Sequence, residues 1–78
     1  SPGVYIVNAS ATIRAINRSL GWTLPTDGPK TLNGLLLEQL ENIPDAGTVL
    51  RFADRQFEIL QVSDNAIRAV RVQRVAKG

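Results

Sequence analysis

The segment from residue 31 to residue 44, TLNGLLLEQLENIP, constrains the fold of this chain more than any other stretch. Its apolar residues recur at helical spacing and therefore share one face of a helix: Leu32, Leu35, Leu36, Leu40 and Ile43. Thr31 can cap the start of this helix, and Pro44, which cannot continue a helix, predicts an end near Asn42. A wide apolar face must be buried, so the rest of the chain has to supply a small sheet for this helix to cover.

The polar residues of the same segment predict the side of the helix that meets water: Glu38, Gln39, Glu41 and Asn42. Glu38 and Glu41 are interpreted as solvent-exposed charges rather than as a catalytic or metal-binding pair, because the surrounding sequence offers no further ligand. Gly34 lies within the helix, where glycine costs about 1 kcal/mol relative to alanine. Its presence predicts that another stretch of backbone passes close by.

A strand and a short helix are predicted before this segment. Residues 4–7, VYIV, have the β-branched and aromatic composition of a strand. Residues 12–20 are predicted to form an amphipathic helix that Ser10 or Thr12 caps. The apolar residues Ile13, Ile16 and Leu20 line one face of it, and Arg14, Asn17 and Arg18 occupy the other.

Gly21 is predicted to end this first helix in the left-handed conformation. Trp22 should then fold back on Ile16 as a packing residue, rather than offer its ring to a ligand. The next segment, residues 23–30, contains two prolines and a glycine and predicts an ordered surface loop.

Three strands are predicted after the central helix, at residues 48–53, 56–62 and 66–75. Short polar turns at residues 54–55 and 63–65 should join them as antiparallel neighbours. The positions expected to face inward are Leu50, Phe52, Phe57, Ile59, Val62, Ile67, Val70 and Val72.

The last two strands do not alternate strictly. The spacings from Ile59 to Val62 and from Ile67 to Val70 predict a β-bulge or a change of covered face. Together these elements predict an α+β fold: one N-terminal strand, two helices and then a three-stranded antiparallel β-meander, with the helices packed on one face of the sheet.

The composition excludes several classes of protein. The chain of 78 residues is expected to form a single domain, residues 1–78, and it contains no His and no Cys. Catalytic triads, cysteine nucleophiles, disulfides and most zinc sites are thereby excluded, and no P-loop or dinucleotide motif is present. We therefore expect no enzymatic activity, no catalytic residues, no metal site and no cofactor. Direct membrane insertion is not expected either, because no apolar run approaches the roughly 20 residues that span a bilayer.

Arg68, Arg71 and Arg74 resemble a basic stripe for nucleic acid. Residues three apart on a regular strand point to opposite faces, so the three cannot form one patch without the predicted bulge. The charge is nearly balanced, with 9 Lys and Arg against 7 Asp and Glu, which argues against nucleic-acid binding. We interpret these arginines as surface charges that discourage the sheet edge from pairing with other chains.

An ordered set of apolar, glycine and proline anchors runs along the chain: YIV at residues 5–7, Leu20-Gly21, Leu24-Pro25, TLNGLL at residues 31–36, Ile43-Pro44 and Gly47. This set resembles the transporter-associated domain, also called the CorC/HlyC C-terminal domain. The segments FEILQV at residues 57–62 and IRAVRV at residues 67–72 resemble its closing pair of strands. The resemblance covers nearly the whole chain.

The resemblance implies a C-terminal module of a larger membrane protein, placed after a transmembrane region and a pair of CBS domains on the cytoplasmic face of the membrane. Such proteins are linked to magnesium and cobalt efflux or labelled haemolysin-like. The implied function is a non-catalytic regulatory domain that modulates cation transport through contacts with other domains of its parent protein. The contact residues we expect are Glu38, Glu41, Asn42, Arg68, Arg71 and Arg74.

Two other classes of function are considered. A small-ligand or nucleotide-sensing module is implied by the kinship of the family's fold to flavin-binding domains, and a calorimetric binding screen would separate it from a purely protein-contacting module. A hydrolase is disfavoured by the missing His and Cys.

The isolated domain is expected to be a monomer or a weak homodimer. A chain this small rarely spares enough apolar surface for an obligate interface. Light scattering across a dilution series measures the association. A dimer that persists at nanomolar concentration would contradict the expectation.

Overall fold

The computed structural model describes residues 3–52 and 54–74. The elements follow in the order β1 (Val4–Asn8), α1 (Ile13–Leu20), α2 (Leu32–Leu40), β2 (Val49–Phe52), β3 (Arg55–Ser63) and β4 (Ala66–Arg74). The strands form one antiparallel sheet in the order β1-β4-β3-β2. The predicted α+β fold is confirmed, and β1 adds a fourth strand to the meander by pairing with β4.

The core lies between the two helices and one face of the sheet. Its buried apolar side chains are Val7, Ala9, Ile13, Ile16, Leu24, Leu32, Leu35, Leu36, Phe57, Ile59, Ile67, Val70 and Val72. The sheet positions predicted to face inward all belong to this core or pack against it. Leu50, Phe52 and Val62 are the half-buried ones among them.

The two helices begin side by side. Thr12 caps α1 by accepting a hydrogen bond from the Ala15 N–H at 3.1 Å. Thr31 caps α2 by accepting one from the Gly34 N–H, also at 3.1 Å. Thr12 and Thr31 are in addition paired as an isolated antiparallel β-bridge. The caps satisfy N–H groups that a helix start leaves without an intrahelical partner, and the bridge fixes the two helices to each other.

The end of α1 follows the prediction. Gly21 has a φ of 69°, in the left-handed region that glycine tolerates best, and its N–H donates to the Asn17 carbonyl oxygen at 2.8 Å. Trp22, the next residue, is half-buried and packs against the core.

Helix α2 is shorter than predicted. It ends at Leu40, and Glu41 is left-handed with a φ of 64° while its N–H still donates to the Leu37 carbonyl oxygen at 2.8 Å. A left-handed residue turns the chain away from the helix axis, so the expected end near Asn42 is too late. Ile43 lies outside the helix and is 47% exposed. Its predicted place on the buried face is therefore wrong.

Gly34 is closely packed, but against a side chain. A Cβ atom added to Gly34 would lie 3.0 Å from the Cβ atom of Pro29, in the loop that precedes α2. The predicted neighbour, another stretch of backbone, is wrong because the proline ring occupies that position.

The hairpin between β3 and β4 combines a tight turn with a bulge. Asp64 and Asn65 both have positive φ, 53° and 62°, which is the pattern of a two-residue type I′ turn. Farther along the pair, Leu60 has no Cα partner in β4 and Arg68 has none in β3. Each strand therefore carries one extra residue, and the predicted β-bulge is confirmed.

The strand boundaries differ slightly from the predictions. Arg55, expected in a turn, begins β3, and the turn before it includes Asp54 with a φ of 62°. The predicted strand ends Ala53 and Val75 lie outside the described residues.

Leu36→Ala is expected to lower the free energy of unfolding by about 2 to 5 kcal/mol, because Leu36 is fully buried beneath α2. Ile43→Ala removes an exposed side chain and should cost less than about 1 kcal/mol. A denaturant titration followed by Trp22 fluorescence measures both variants. Similar losses would show that the buried face of α2 is misassigned.

Candidate interaction surfaces

In the described part of the chain, one face of the sheet carries no helix. The strand register places Ile6, Arg71, Glu58 and Val49 in one row across this face, which we call the open face. Ile6 and Val49, on the outer strands, are 63% and 51% exposed. Between them the Arg71 Nη1 atom lies 2.8 Å from the Glu58 Oε1 atom. The open face thus presents an ion pair flanked by two exposed apolar side chains.

Arg68 also points away from the core, although it lies three positions before Arg71 on the same strand. On a strictly alternating strand, residues three positions apart point to opposite faces. The extra residue that β4 carries at the bulge changes this alternation, so Arg68 and Arg71 both point outward. The Arg68 Nη2 atom lies 3.6 Å from the Asp64 Oδ2 atom, and Arg68 Nε donates to Ser63 Oγ at 3.1 Å. Arg68 therefore braces the turn between β3 and β4, with the small contribution typical of an exposed ion pair.

Arg74 lies on the opposite side of the sheet from Arg71, at the end where β4 stops. It stands directly opposite Arg55 in the strand register. The Cζ atom of Arg55 lies 4.4 Å from the centre of the Trp22 ring, a cation–π arrangement. The Tyr5 ring meets Trp22 edge-on, at 5.6 Å between ring centres and 80° between planes. We call the space lined by Tyr5, Trp22, Arg55 and Arg74 the arginine cleft.

Glu38, Glu41 and Asn42 are exposed, Glu38 on α2 and the other two just beyond its end. Since α2 covers the buried face of the sheet, these three residues lie on the helical side of the domain, away from the open face. The six predicted contact residues therefore do not form one surface. Arg68 and Arg71 point outward from the sheet, and Arg74 lies in the arginine cleft. That these residues contact a partner remains a prediction.

Two asparagines hold the framework together, and the sequence patterns did not reveal their roles. Asn17, predicted on the exposed face of α1, is half-buried: its side chain donates to the Leu24 carbonyl oxygen and accepts from the Leu24 N–H, both at 3.0 Å. Asn33 accepts from the Ile67 N–H at 2.8 Å and so ties α2 to β4 beside the bulge. The only sequence signal for these roles was the residue type. Asparagine is unfavourable inside a helix, so its presence there suggests that its side chain has a specific hydrogen-bond partner.

The residues that the structure describes bring together no group of three His, Cys, Asp or Glu side chains of the kind that holds a metal ion. Nor do they include a helix of the length and apolarity that crossing a bilayer requires.

The family described as transporter associated domain, CorC_HlyC, matches residues 1–76. The chain belongs to this family. The resemblance found in the apolar, glycine and proline anchors is thereby confirmed.

Relatives of this transporter-associated domain are much longer proteins. The inner membrane protein YfjD of Escherichia coli (strain K12) is 44% identical over 70 residues, which make up 90% of this chain and 16% of YfjD. A protein of Haemophilus influenzae is 42% identical over 72 residues, 92% of this chain and 17% of that protein. The chain therefore spans about a sixth of the length of the curated relatives it matches.

A crystal structure from Haemophilus influenzae shares the fold. It is 40% identical and superimposes with a TM-score of 0.89, over 96% of this chain and 93% of that chain. Almost the whole of that crystallised chain is matched, so it consists of little more than this one fold.

Asn33→Ala is expected to lower the free energy of unfolding by about 1 to 3 kcal/mol, because the Ile67 N–H loses its acceptor. Asn42→Ala is the matched control. Because Asn42 is exposed, this substitution should change the free energy of unfolding by less than about 0.5 kcal/mol. Denaturant titration measures both, and hydrogen exchange at the Ile67 amide should be faster only in Asn33→Ala. Equal stabilities of the two variants would contradict the role assigned to Asn33.

Proposed function

We propose that this chain is a non-catalytic regulatory domain that modulates cation transport by a larger membrane protein. The observation that carries the proposal is the match of the transporter-associated domain family to residues 1–76. The name of YfjD, an inner membrane protein, agrees with it. A chain of Neisseria meningitidis that shares the fold at 21% identity is named for a region associated with a candidate Mg²⁺ and Co²⁺ transporter. Magnesium and cobalt are therefore the first ions to test.

The proposed position is the C-terminal end of the parent protein, on the cytoplasmic face of the membrane, after a transmembrane region and a pair of CBS domains. The lengths of the relatives support the coarser part of this proposal, a place within a larger protein. The matched region is only 16% of YfjD, which leaves room for membrane-spanning and further domains in a protein of that kind.

The domain is proposed to act through contacts with those neighbouring domains. The open face supplies a surface of suitable character, with the Arg71–Glu58 ion pair between Ile6 and Val49. Contacts between domains of one chain bury about 600 to 1,500 Å² and are more polar than obligate interfaces. A mixed row of one ion pair and two apolar side chains fits such a contact.

An effect on transport requires that the domain bind two states of the parent protein with different affinity. The open face offers a simple means. An exposed ion pair contributes little to the stability of the domain. Arg71 and Glu58 can therefore separate and pair with charged residues of a neighbouring domain at a small cost in free energy. The state of the parent protein that supplies those partners would then be favoured.

Deletion of residues 1–78 from the full-length protein is expected to change the rate of Mg²⁺ or Co²⁺ transport, or its dependence on ion concentration, while the protein still inserts into the membrane. The reason is that regulatory contacts are lost whereas the conduit is kept. Flux into vesicles that contain equal amounts of full-length or truncated protein measures the effect. Identical rates and identical ion dependence would overturn the proposed function.

Two matched substitutions then locate the contact. Ile6→Asp places a charge on the open face, and Ile43→Asp places one beside Asn42 on the helical side. The open face is assigned if only Ile6→Asp reproduces the effect of the deletion. The opposite result would move the contact to the surface that holds Glu38, Glu41 and Asn42.

A further inference from the structure

β1 is an outer strand of the sheet, and one of its two edges faces away from β4. The Ala9 N–H donates to the Arg68 carbonyl oxygen at 2.9 Å, which shows which residues of β1 turn their backbone groups toward β4. Because these groups alternate in an antiparallel pair, those of Tyr5 and Val7 face β4 and those of Ile6 face outward. Among the residues that the structure describes, nothing pairs with the outward N–H and C=O groups of Ile6.

β1 lacks the features that usually keep an outer strand from pairing with another chain. Such strands carry charged side chains, prolines or bulges. The sequence of β1, VYIVN, contains no charged residue and no proline, and its pairing with β4 is regular. The other outer strand, β2, carries Arg51. Arg68, Arg71 and Arg74 cannot protect an edge, although their charge suggested that role, because they lie on β4, an inner strand.

Two hollows flank the outer edge of β1, one on each side of the strand. The hollow on the helical side has a volume of ≈ 250 Å³, and three of its lining residues are small: Ala11, Ala15 and Ser19. The hollow on the open face has a volume of ≈ 420 Å³ and lies between Ile6 and the bulged part of β4. Side chains of a strand point alternately to its two sides, so a strand added to β1 would place them beside the two hollows in turn. Backbone hydrogen bonds, together with room for alternate side chains, are what a sheet edge needs to accept a further strand.

The sequence of β1 is complementary to itself when two copies run antiparallel with Ile6 at the centre. The two Ile6 residues then lie opposite each other, and the outward N–H of each donates to the outward carbonyl oxygen of the other. Tyr5 of each copy lies opposite Val7 of the other copy, on the helical side of the sheet. An aromatic side chain opposite a β-branched one is a favourable cross-strand pair. β1 contains no charged residue, so the pairing sets no like charges opposite each other within the two strands.

From these observations we propose that β1 pairs with β1 of a second copy of this chain, antiparallel and centred on Ile6. The two 4-stranded sheets join into one continuous sheet across a two-fold axis. A two-fold contact makes each favourable pair twice, and most homodimers are built in this way. The contact also covers Ile6, which is 63% exposed in the single domain. Because the paired strands are short, the dimer is weak, in agreement with the weak homodimer expected for a chain of this size.

This contact is independent of the contact proposed with neighbouring domains. Ile6 belongs to both, but its side chain lies on the open face, whereas the dimer depends on its backbone groups and on Tyr5 and Val7 of the helical side. The dimer is tested on the isolated domain, and the role in transport is tested on the full-length protein. Each proposal can therefore fail while the other holds.

Sedimentation velocity of the 78-residue domain, from micromolar to millimolar concentration, measures the association, and hydrogen exchange locates it. The Ile6 amide should exchange about twofold more slowly where half of the domain is dimeric, because only the dimer supplies its acceptor. The Tyr5 amide already faces β4 and should keep its exchange rate. In a mixture of isotope-labelled and unlabelled domain, NMR should detect a contact between the Tyr5 ring of one copy and the Val7 methyl groups of the other.

Ile6→Lys is expected to weaken dimerisation about tenfold or more, because it sets two like charges opposite each other at the centre of the pairing. The matched control is Val49→Lys. Val49 lies on the same face of the sheet, on the other outer strand, and is 51% exposed. Its substitution adds the same charge to the domain and should change the dissociation constant less than about twofold. The unfolding transition of each variant shows that it is folded.

Several results would overturn the proposal. One is a domain that stays monomeric at millimolar concentration, and another is a dimer that leaves the exchange of the Ile6 amide unchanged. Equal weakening by Ile6→Lys and Val49→Lys would indicate repulsion by overall charge rather than a contact at β1. An Ile6 amide that is protected in the full-length protein, but at no concentration of the isolated domain, would assign the edge of β1 to a segment of the parent chain instead of a second copy.

Discussion

The burial of the α2 leucines against one face of the sheet is the interaction on which the rest of this domain depends. Leu32, Leu35 and Leu36 have almost no contact with solvent, and they share one core with Phe57 and Val70 of the sheet. A chain of 78 residues has room for one such core.

Hydrogen-bonded contacts define the position of α2 on the sheet more precisely than apolar burial can. The bridge between Thr12 and Thr31 joins the starts of the two helices, and the Asn33 side chain holds the Ile67 N–H at 2.8 Å. Hydrophobic burial is not directional, whereas each of these bonds requires one register. The bulge of β4 therefore has a defined place beneath α2, and the outward direction of Arg68 follows from it.

The same packing decides which surfaces of the domain the helices leave uncovered. The helices cover one face of the sheet, so in the described part of the chain the open face carries no helix and the arginine cleft opens at the end of the sheet. The two surfaces differ in chemistry: the open face pairs Arg71 with Glu58, whereas the cleft places Arg55 opposite Arg74.

The sequence by itself determined the order of helices and strands, the buried face of the last three strands and the family. These follow from local periodicity and from glycine and proline positions, which need no knowledge of distant residues. Periodicity failed at Ile43, which is in phase with the leucines of α2 but lies beyond the left-handed Glu41 that ends the helix. The end of a helix depends on one backbone angle that the apolar pattern does not encode.

The sites depended far more on tertiary structure. The sequence identified Arg68, Arg71 and Arg74 as surface charges. The register and the bulge decided that the first two point outward and that the third lines the same cleft as Trp22. The cleft itself joins Tyr5 and Trp22 with Arg55 and Arg74, which lie far apart in the sequence, and Asn33 finds its partner 34 residues away. Which residues meet across such distances is set by the order of strands in the sheet, in which β1, from the start of the chain, pairs with the last strand, β4.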